Sequence, residues 1–459
     1  MLLFLNLRLE VVVSMKETEN KKKVSMYTIF IPKVDESYVV ANTLSGAVLH
    51  IDDKAYLEDL VNIMQSRDEV PYNENSDMHK HFYDSGIFVD DDTDEYSMTL
   101  YYHEQGVIRN NNLCLVLLPT RQCNLRCTYC YEDFRNEYMT DETYGGILKY
   151  LEKSLENKLH GAVTISLFGG EPFLQFDRVL SLLKRAKDIC KKYDIPFSSN
   201  ATTNFTLVSK ERFIALADVN CTYFQVTLDG LAKTHDINRV CKDGSGSFDI
   251  IVKNLLDAKQ CNHDFKINIR TNFDERVAEN TEEFYRYIKE NFNDSRFSVF
   301  PYNVRKMGGK NDKNLNVLSG SQATDVLVDA SQIIHELGLK NSVSKSLVLP
   351  FSGICYASKH NNFIIDWDGT IMKCTVDLDA DINKIGRLES DGSIIIDHKI
   401  HCKWINREGM IKPECKGCDV FPICFGKGCP LRVVKGDGES CDKERIRRKI
   451  IKDLINLAL

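Results

Sequence analysis

Pro119–Glu132 reads P-T-R-Q-C-N-L-R-C-T-Y-C-Y-E, and its three cysteines, Cys123, Cys127 and Cys130, decide how the rest of the chain is read. Their spacing is C-x3-C-x2-C. A cubane [4Fe–4S] cluster has four irons, and cysteine thiolates are their usual ligands. Three thiolates this close hold three irons and leave the fourth open as a binding site, whereas a fully ligated cluster mainly carries electrons. A zinc site would bring a fourth Cys or His at short spacing, and none lies nearby.

Around this segment, residues 113–302 alternate strand-like and helix-like runs. Strands are expected over 113–118, 163–168, 197–203, 223–228, 266–271 and 297–302. Helices are expected over 141–158 (with Thr140 as N-cap), 176–193, 209–217, 248–260 and 279–292. Such alternation argues for a parallel sheet with outer helices. A complete eight-unit barrel takes about 250 residues, and this stretch has room for about six units. The fold class is therefore α/β, a partial (β/α)6 TIM-like barrel. The cysteines follow its first strand, at the sheet end where α/β folds place active sites.

C-N-L-R-C-T-Y-C, with Tyr129 before the last cysteine, resembles the radical S-adenosylmethionine (AdoMet) signature. The resemblance implies that AdoMet chelates the open iron and that one electron cleaves it to a 5′-deoxyadenosyl radical. Gly169-Gly170-Glu171-Pro172 matches the family's GGE motif, which implies a hold on the AdoMet amino group, with Glu171 as a candidate. Thr203 and Asn204 fall where the family contacts ribose, though Phe205 replaces its usual Gly. Q-V-T-L-D-G and T-H-D-I-N-R resemble the family's carboxylate-binding pattern, which maps onto Thr227 and Arg239. A guanidinium fork suits a carboxylate.

Seven further cysteines follow: Cys355, Cys374, Cys415, Cys418, Cys424, Cys429 and Cys441. They resemble the SPASM pattern, which supports two auxiliary [4Fe–4S] clusters and brings the total to three. By that resemblance Cys415, Cys418, Cys424 and Cys441 hold the distal cluster. Cys355, Cys374 and Cys429 hold the proximal one, which is left with an open iron unless Cys402 or a water closes it. The four residues between Cys424 and Cys429, where the family has three, imply a locally shifted loop. A zinc ribbon is the competing reading. Cys114, Cys190, Cys221, Cys241, Cys261 and Cys402 are read as ordinary thiols.

The domain plan is a tail over 1–25, with Met15 or Met26 as alternative starts, and a small α+β unit over 26–108. The barrel takes 109–305, a bridge 306–350 with a helix over 322–337, the SPASM domain 351–441, and a basic helix 442–459 that packs on the barrel. The 26–108 unit combines strands at 27–32, 38–41 and 47–51 with helices at 54–65 and 78–83. Its order resembles the winged-helix-like leader-recognition module of peptide-modifying radical enzymes. The net charge of −7 gives no reason to expect nucleic acid or membrane as partner. No run approaches the ~18–20 apolar residues of a membrane span. Sixteen clustered cysteines favour metal binding in a reducing cytoplasm over secreted disulfides.

Together these features resemble a radical SAM/SPASM maturase that joins a Cys sulfur to carbon in a ribosomally made precursor peptide. The partners implied are that peptide with its leader and a reductant such as flavodoxin or ferredoxin. The rivals are a formylglycine-forming sulfatase maturase, a carbon–carbon cross-linking enzyme and a non-enzymatic electron-transfer protein. The first would carry Asp after the Cys of G-x4-C, where this chain has Thr375. For the second, Asp366, Asp368 and Asp377 are candidate bases.

Overall fold

The computed structural model of the chain describes residues 21–454, apart from 34, 109–110, 308–310, 316, 343–354, 406–410, 428, 437–440, 442, 445–446, 449 and 452–453. Among the described residues the N-terminal unit holds five strands, β1 Lys22–Val24, β2 Thr28–Pro32, β3 Tyr38–Asn42, β4 Val48–Ile51 and β5 Phe88–Asp90. β2, β3 and β4 form an antiparallel sheet, and β1 pairs with β5. Helix Lys54–Gln65 starts where the Asp53 side chain accepts the Ala55 N–H, and helix Asp77–Asp84 where Ser76 accepts that of His79. Leu60, Ile63, Met78 and Phe82 bury the inner faces of both helices. The expected tail is thus corrected over 22–24: this stretch is a strand that closes the unit, while residues 1–20 lie outside the described residues.

Helix Glu95–Ile108, which the sequence reading missed, leads to the barrel. The barrel strands are β6 Asn112–Leu117, β8 Ala162–Leu167, β9 Phe197–Thr203, β10 Cys221–Thr227, β12 Lys266–Phe273 and β13 Phe297–Asn303. Two short strands, β7 Leu125–Cys127 and β11 Arg239–Cys241, pair with each other outside that series. The six barrel strands lie parallel and in sequence order, the expected open (β/α)6 arrangement. Period-2 patterning explains it. Leu113, Leu115 and Leu117 of β6 are fully buried, while Asn112, Cys114 and Val116 alternate with them toward the lumen. The outer helices answer with a 3.6 period. Phe176, Val179, Leu183, Ala186 and Cys190 line the buried stripe of Phe176–Lys192. The Thr140 N-cap is present, accepting from Thr143 N at 3.2 Å.

The cysteine-rich region is more regular than its lack of sequence period suggested. It adds β14 Asn362–Ile365, β15 Thr370–Met372, β16 Lys384–Leu388 and β17 Ile394–Ile396 to the barrel sheet. β14 runs parallel to β6, and the other three continue antiparallel. Helix Gly320–Glu336 begins with a Ser319/Gln322 capping box. Among its described residues, the C-terminal helix packs on the N-terminal unit and not on the barrel as expected. Its Ile450 and Leu454 bury against Ile29, Ile31 and Val39 of the N-terminal sheet and against Val420 and Ile423. Arg447 Nε also donates to Asp419 Oδ2 at 2.8 Å. Isoleucine and leucine at helical spacing could have faced either body; the N-terminal sheet offers the unpaired apolar face.

Candidate active site

β6 delivers the chain to the three cysteines, and the second βα loop is zipped onto that segment. Gly170 N donates to Thr120 O at 3.2 Å and Glu171 N to Gln122 O at 2.9 Å. A Cβ on Gly169 would stand 2.6 Å from Thr120 O, and one on Gly170 2.2 Å from Gln122 O. Gly169 also has φ +107, which glycine alone adopts freely. The two glycines therefore serve the approach of one loop backbone to the other. Pro172 then opens a short 3-10 turn.

Glu171 lies beneath this junction, fully buried. Its carboxylate accepts from Phe173 N at 3.1 Å, Thr203 Oγ1 at 2.8 Å and Asn204 N at 2.8 Å. It thus ties the second loop to the end of β9. Burial pushes its carboxyl up to about 7, against those hydrogen bonds and the Arg239 charge. Asn204 Nδ2 donates to Asn124 Oδ1 at 2.8 Å and reaches Cys123 Sγ at 3.6 Å. Hydrogen bonds to cluster sulfurs are one of the protein's levers on potential. Phe205, the departure from Gly, sits at φ 63 and is fully buried against Phe213 and Phe224. A left-handed residue here costs roughly 1–2 kcal/mol, and the aromatic packing offsets it.

The second cysteine is placed by a backbone ladder, since β7 pairs Cys127 with Arg239 of β11. Arg239 is buried; its Nη1 donates to Tyr129 Oη at 2.8 Å, and its Nε has no partner among the described residues. Tyr129 Oη also bonds Asp229 and accepts from Asn272 Nδ2 at 3.1 Å. Asn272 N in turn donates to Asp229 Oδ1 at 2.7 Å. The Tyr129 hydroxyl thus gathers the cluster segment, the ends of β10 and β12, and β11. Asp229 and Asn272 were missed from sequence; the Asp-Gly after β10 and the lumen parity of β12 were the available signals. Thr227 is buried at the end of β10, in register with Arg270 of β12. A cleft of about 320 Å³ opens beside Tyr129, lined by Thr128, Asp274, Arg276, Asn311 and Leu315.

Burial raises all three thiols. It takes Cys123 up to about 12, with Glu171 adding to it, and it raises Cys127 against the pull of Arg239. Cys130 is raised by burial, then by Glu132, Cys127 and Cys123. Such thiols stay protonated unless a cationic centre displaces the proton. Among the described residues no three His, Cys, Asp or Glu groups close around a single ion. Thiolates that each take a different iron of a cubane need no such convergence. The donor set and the orphaned, buried Arg239 N–H together fit a cluster with a carboxylate-bearing ligand beside it.

Some of the later cysteines stand near enough to act on one another. Cys374 is pushed up to about 11 by burial, with Cys355 and Cys429 acting on it, and Cys355 also feels Cys429. Cys415 is raised by burial and by Cys441, while Cys418 feels Cys415. Cys418 and Cys424 pack beside Ile29 and Ile31. The lengthened loop is kinked: Phe425 and Gly426 both take positive φ, 45° and 78°. Cys402 is exposed on helix His398–Ile405.

The three candidate bases have other tasks. Asp366 is buried in a bidentate ion pair with Arg121, at 3.0 Å from Nε and 2.5 Å from Nη2, which bolts the cluster segment to the end of β14. Asp368 Oδ1 accepts the Thr370 N–H within its turn, and Asp377 pairs with Lys435. Thr375 shares a 2.8 Å hydrogen bond with Tyr356 Oη.

This architecture, with its cluster segment after the first strand of an open barrel, is that of a radical SAM protein. Residues 117–288 match the sequence model of the Radical SAM superfamily, so this stretch is the domain of a radical SAM enzyme. That domain implies one [4Fe–4S] cluster and AdoMet. The chain is 24% identical over 357 residues to a cysteine-type anaerobic sulfatase-maturating enzyme of Clostridium perfringens (strain 13 / Type A), covering 92% of that protein and 72% of this one. Its fold is similar to native anSMEcpe with bound AdoMet and Cp18Cys peptide, with a TM-score of 0.59 and 21% identity over 76% of this chain and 99% of that one. It is also similar to Streptococcus suis SuiB, with a TM-score of 0.50 and 17% identity over 91% of this chain and 97% of that one.

Proposed function

We propose that this enzyme modifies a ribosomally made precursor peptide by joining a cysteine sulfur to a carbon of another residue. The observation that carries the reading is the Cys355–Cys374–Cys429 group. It holds three thiols, and the stretch 343–354 before it contains no cysteine. A cluster held there by three ligands has an iron suited to a substrate thiolate. Cys415, Cys418, Cys424 and Cys441 supply four ligands, enough to complete another cluster.

At the barrel mouth Cys123, Cys127 and Cys130 would hold the first cluster. Arg239 and Thr227 would take the AdoMet carboxylate, Asn204 and Thr203 its ribose, and the Gly169–Glu171 backbone its amino group. Bound there, cluster and AdoMet would supply, on one-electron reduction, a 5′-deoxyadenosyl radical that takes one substrate hydrogen atom, while the thiol proton would go to solvent and the remaining electron to an auxiliary cluster. Tyr129, Asp229 and Asn272 keep the Arg239 fork oriented, and Glu171 fixes the loops around it. The N-terminal unit would grip the leader by strand addition, with β4 at one end of its sheet as the candidate edge. That unit is braced against the auxiliary region: Tyr96 stacks on Phe421, and Thr43 Oγ1 donates to Asp419 O at 2.6 Å. Flavodoxin or ferredoxin would supply the electron. Among the described residues no helix is long and apolar enough to cross a membrane.

Sulfatase maturation is the second reading, favoured by the named relative. Thr375 stands where that chemistry is expected to need a carboxylate, and more than a quarter of this chain lies outside the match. Intact mass of a co-expressed Cys-containing precursor, with thiol alkylation and a Cys123→Ala control, decides between them. Loss of two hydrogens together with one alkylatable thiol is expected. Loss of two hydrogens with every thiol still alkylatable would point to carbon–carbon linkage, and conversion of Cys to formylglycine to the sulfatase reading.

A further inference from the structure

The barrel mouth carries a second guanidinium besides the one assigned to the cofactor. Arg270 lies on β12 with Asn268 and Asn272 on the lumen-facing parity, while Ile267, Ile269 and Thr271 alternate with them. Its Nε donates to Asn272 Oδ1 at 2.8 Å. Its guanidinium carbon stands 4.0 Å from the centroid of the Tyr302 ring and 5.6 Å from that of Phe300, both on β13. Arg305, just past β13, stands 5.2 Å from the same Tyr302 centroid. Among the described residues neither arginine forms an ion pair, and the Nη1 and Nη2 groups of Arg270 have no hydrogen-bond acceptor.

Two cations thus converge on one ring. Stacking contributes roughly 0.5–1 kcal/mol per exposed contact and leaves their mutual repulsion in place. An anion removes it, and two guanidinium forks favour a planar carboxylate over a point charge. The stack leans Arg270 toward β13, the last strand of the parallel series, whereas Arg239 is held by Tyr129 next to Cys127. Asn272 links the two arginines, its Oδ1 accepting from Arg270 Nε and its Nδ2 donating to Tyr129 Oη, so Arg270 stands removed, by Asn272 and Tyr129, from the fork assigned to the cofactor.

We propose that Arg270 and Arg305, gathered on Tyr302, bind an acidic side chain of the substrate peptide and so place the neighbouring residue at the barrel mouth. The assignment rests on the peptide-modifying reading above, and it makes Arg270 a specificity residue, not a ligand of the cofactor. The test uses the full-length, cluster-loaded enzyme under anaerobic conditions. Phenylglyoxal labelling rates are mapped by mass spectrometry at Arg270, at Arg305 and at the exposed control Arg185, with N-acetylglutamate methylamide or its glutamine analogue as probe. The glutamate probe is expected to slow labelling of Arg270 and Arg305 about threefold at twice its Kd, with Kd on the order of millimolar. The glutamine analogue and Arg185 report no protection. AdoMet affinity, measured alongside, is expected to fall at least about tenfold in Arg239→Met and to stay within about twofold in Arg270→Met.

Equal labelling with both probes would overturn the proposal. So would strong protection of Arg270 by AdoMet together with lost AdoMet affinity in Arg270→Met, which would assign the fork to the cofactor's carboxylate. The labelling arm uses the unmutated enzyme, so misfolding of a variant does not blur it. A preparation that binds no AdoMet fails the enzyme reading; one that binds AdoMet without glutamate-specific protection fails only this proposal.

Discussion

Cys123, Cys127 and Cys130 come from one short run, fixed by backbone ladders to Gly170, Glu171 and Arg239. Cys355 through Cys441 come from a long stretch of short strands, turns and short helices. The contrast shows at two glycines. Gly170 has no room for a Cβ, because the Gln122 carbonyl would lie 2.2 Å away, whereas Gly417, between Cys415 and Cys418, has nothing within 4 Å. The first site is a rigid cradle that tolerates no change of backbone. The second is a looser scaffold.

The comparison can be broken in several places. Cys127→Ala is expected to abolish AdoMet cleavage, by a factor on the order of 10³ or more, as read from 5′-deoxyadenosine release. Cys402→Ala, outside both groups, is expected to change it little. Gly170→Ala is expected to cost about 4 kcal/mol or more of stability, and Gly417→Ala less than about 0.5 kcal/mol, both by thermal unfolding. Arg121→Met, which strands Asp366 without its partner between the two regions, is expected to cost about 3–5 kcal/mol. Similar melting of the two glycine variants would erase the distinction drawn here.

The smallest expected effects are opposite pH slopes. Glu171 holds its proton up to about 7 when folded, above its ordinary value of 4.5. The folded state therefore binds more protons, and stability falls as pH rises from about 4.5 to about 7. His401, in the auxiliary region, is pushed down to about 4 from 6.5 by burial and by Lys373. Here the unfolded chain takes the proton first, so stability falls as pH drops from about 6.5 to about 4. Glu171→Gln is expected to flatten the first slope and His401→Gln the second, in melting temperatures of the metal-free protein against pH.

The barrel was legible because six strands alternate lumen and helix-facing residues, and because their helices carry caps and stripes. β7, β11 and β14 to β17 were not, since strands of three to five residues hold too few positions to display a period. β7 and β11 matter most, for their pairing puts Arg239 beside Cys127. Cysteine spacing marked all ten candidate ligands, but their division into two auxiliary groups came from resemblance. Asp366 illustrates the limit: its place near Cys374 suggested a base, and only three-dimensional contact reveals Arg121 across from it. Arg270 was invisible as a site because its Tyr302 partner belongs to the next strand, beyond an intervening helix.

The most direct test of the account is the iron content of the anaerobically reconstituted chain, wild type against the Cys123→Ala/Cys127→Ala/Cys130→Ala variant. Three four-iron clusters predict about twelve irons in the first and about eight in the second. An intact chain with about four irons, or with zinc in the later cysteines, would contradict it.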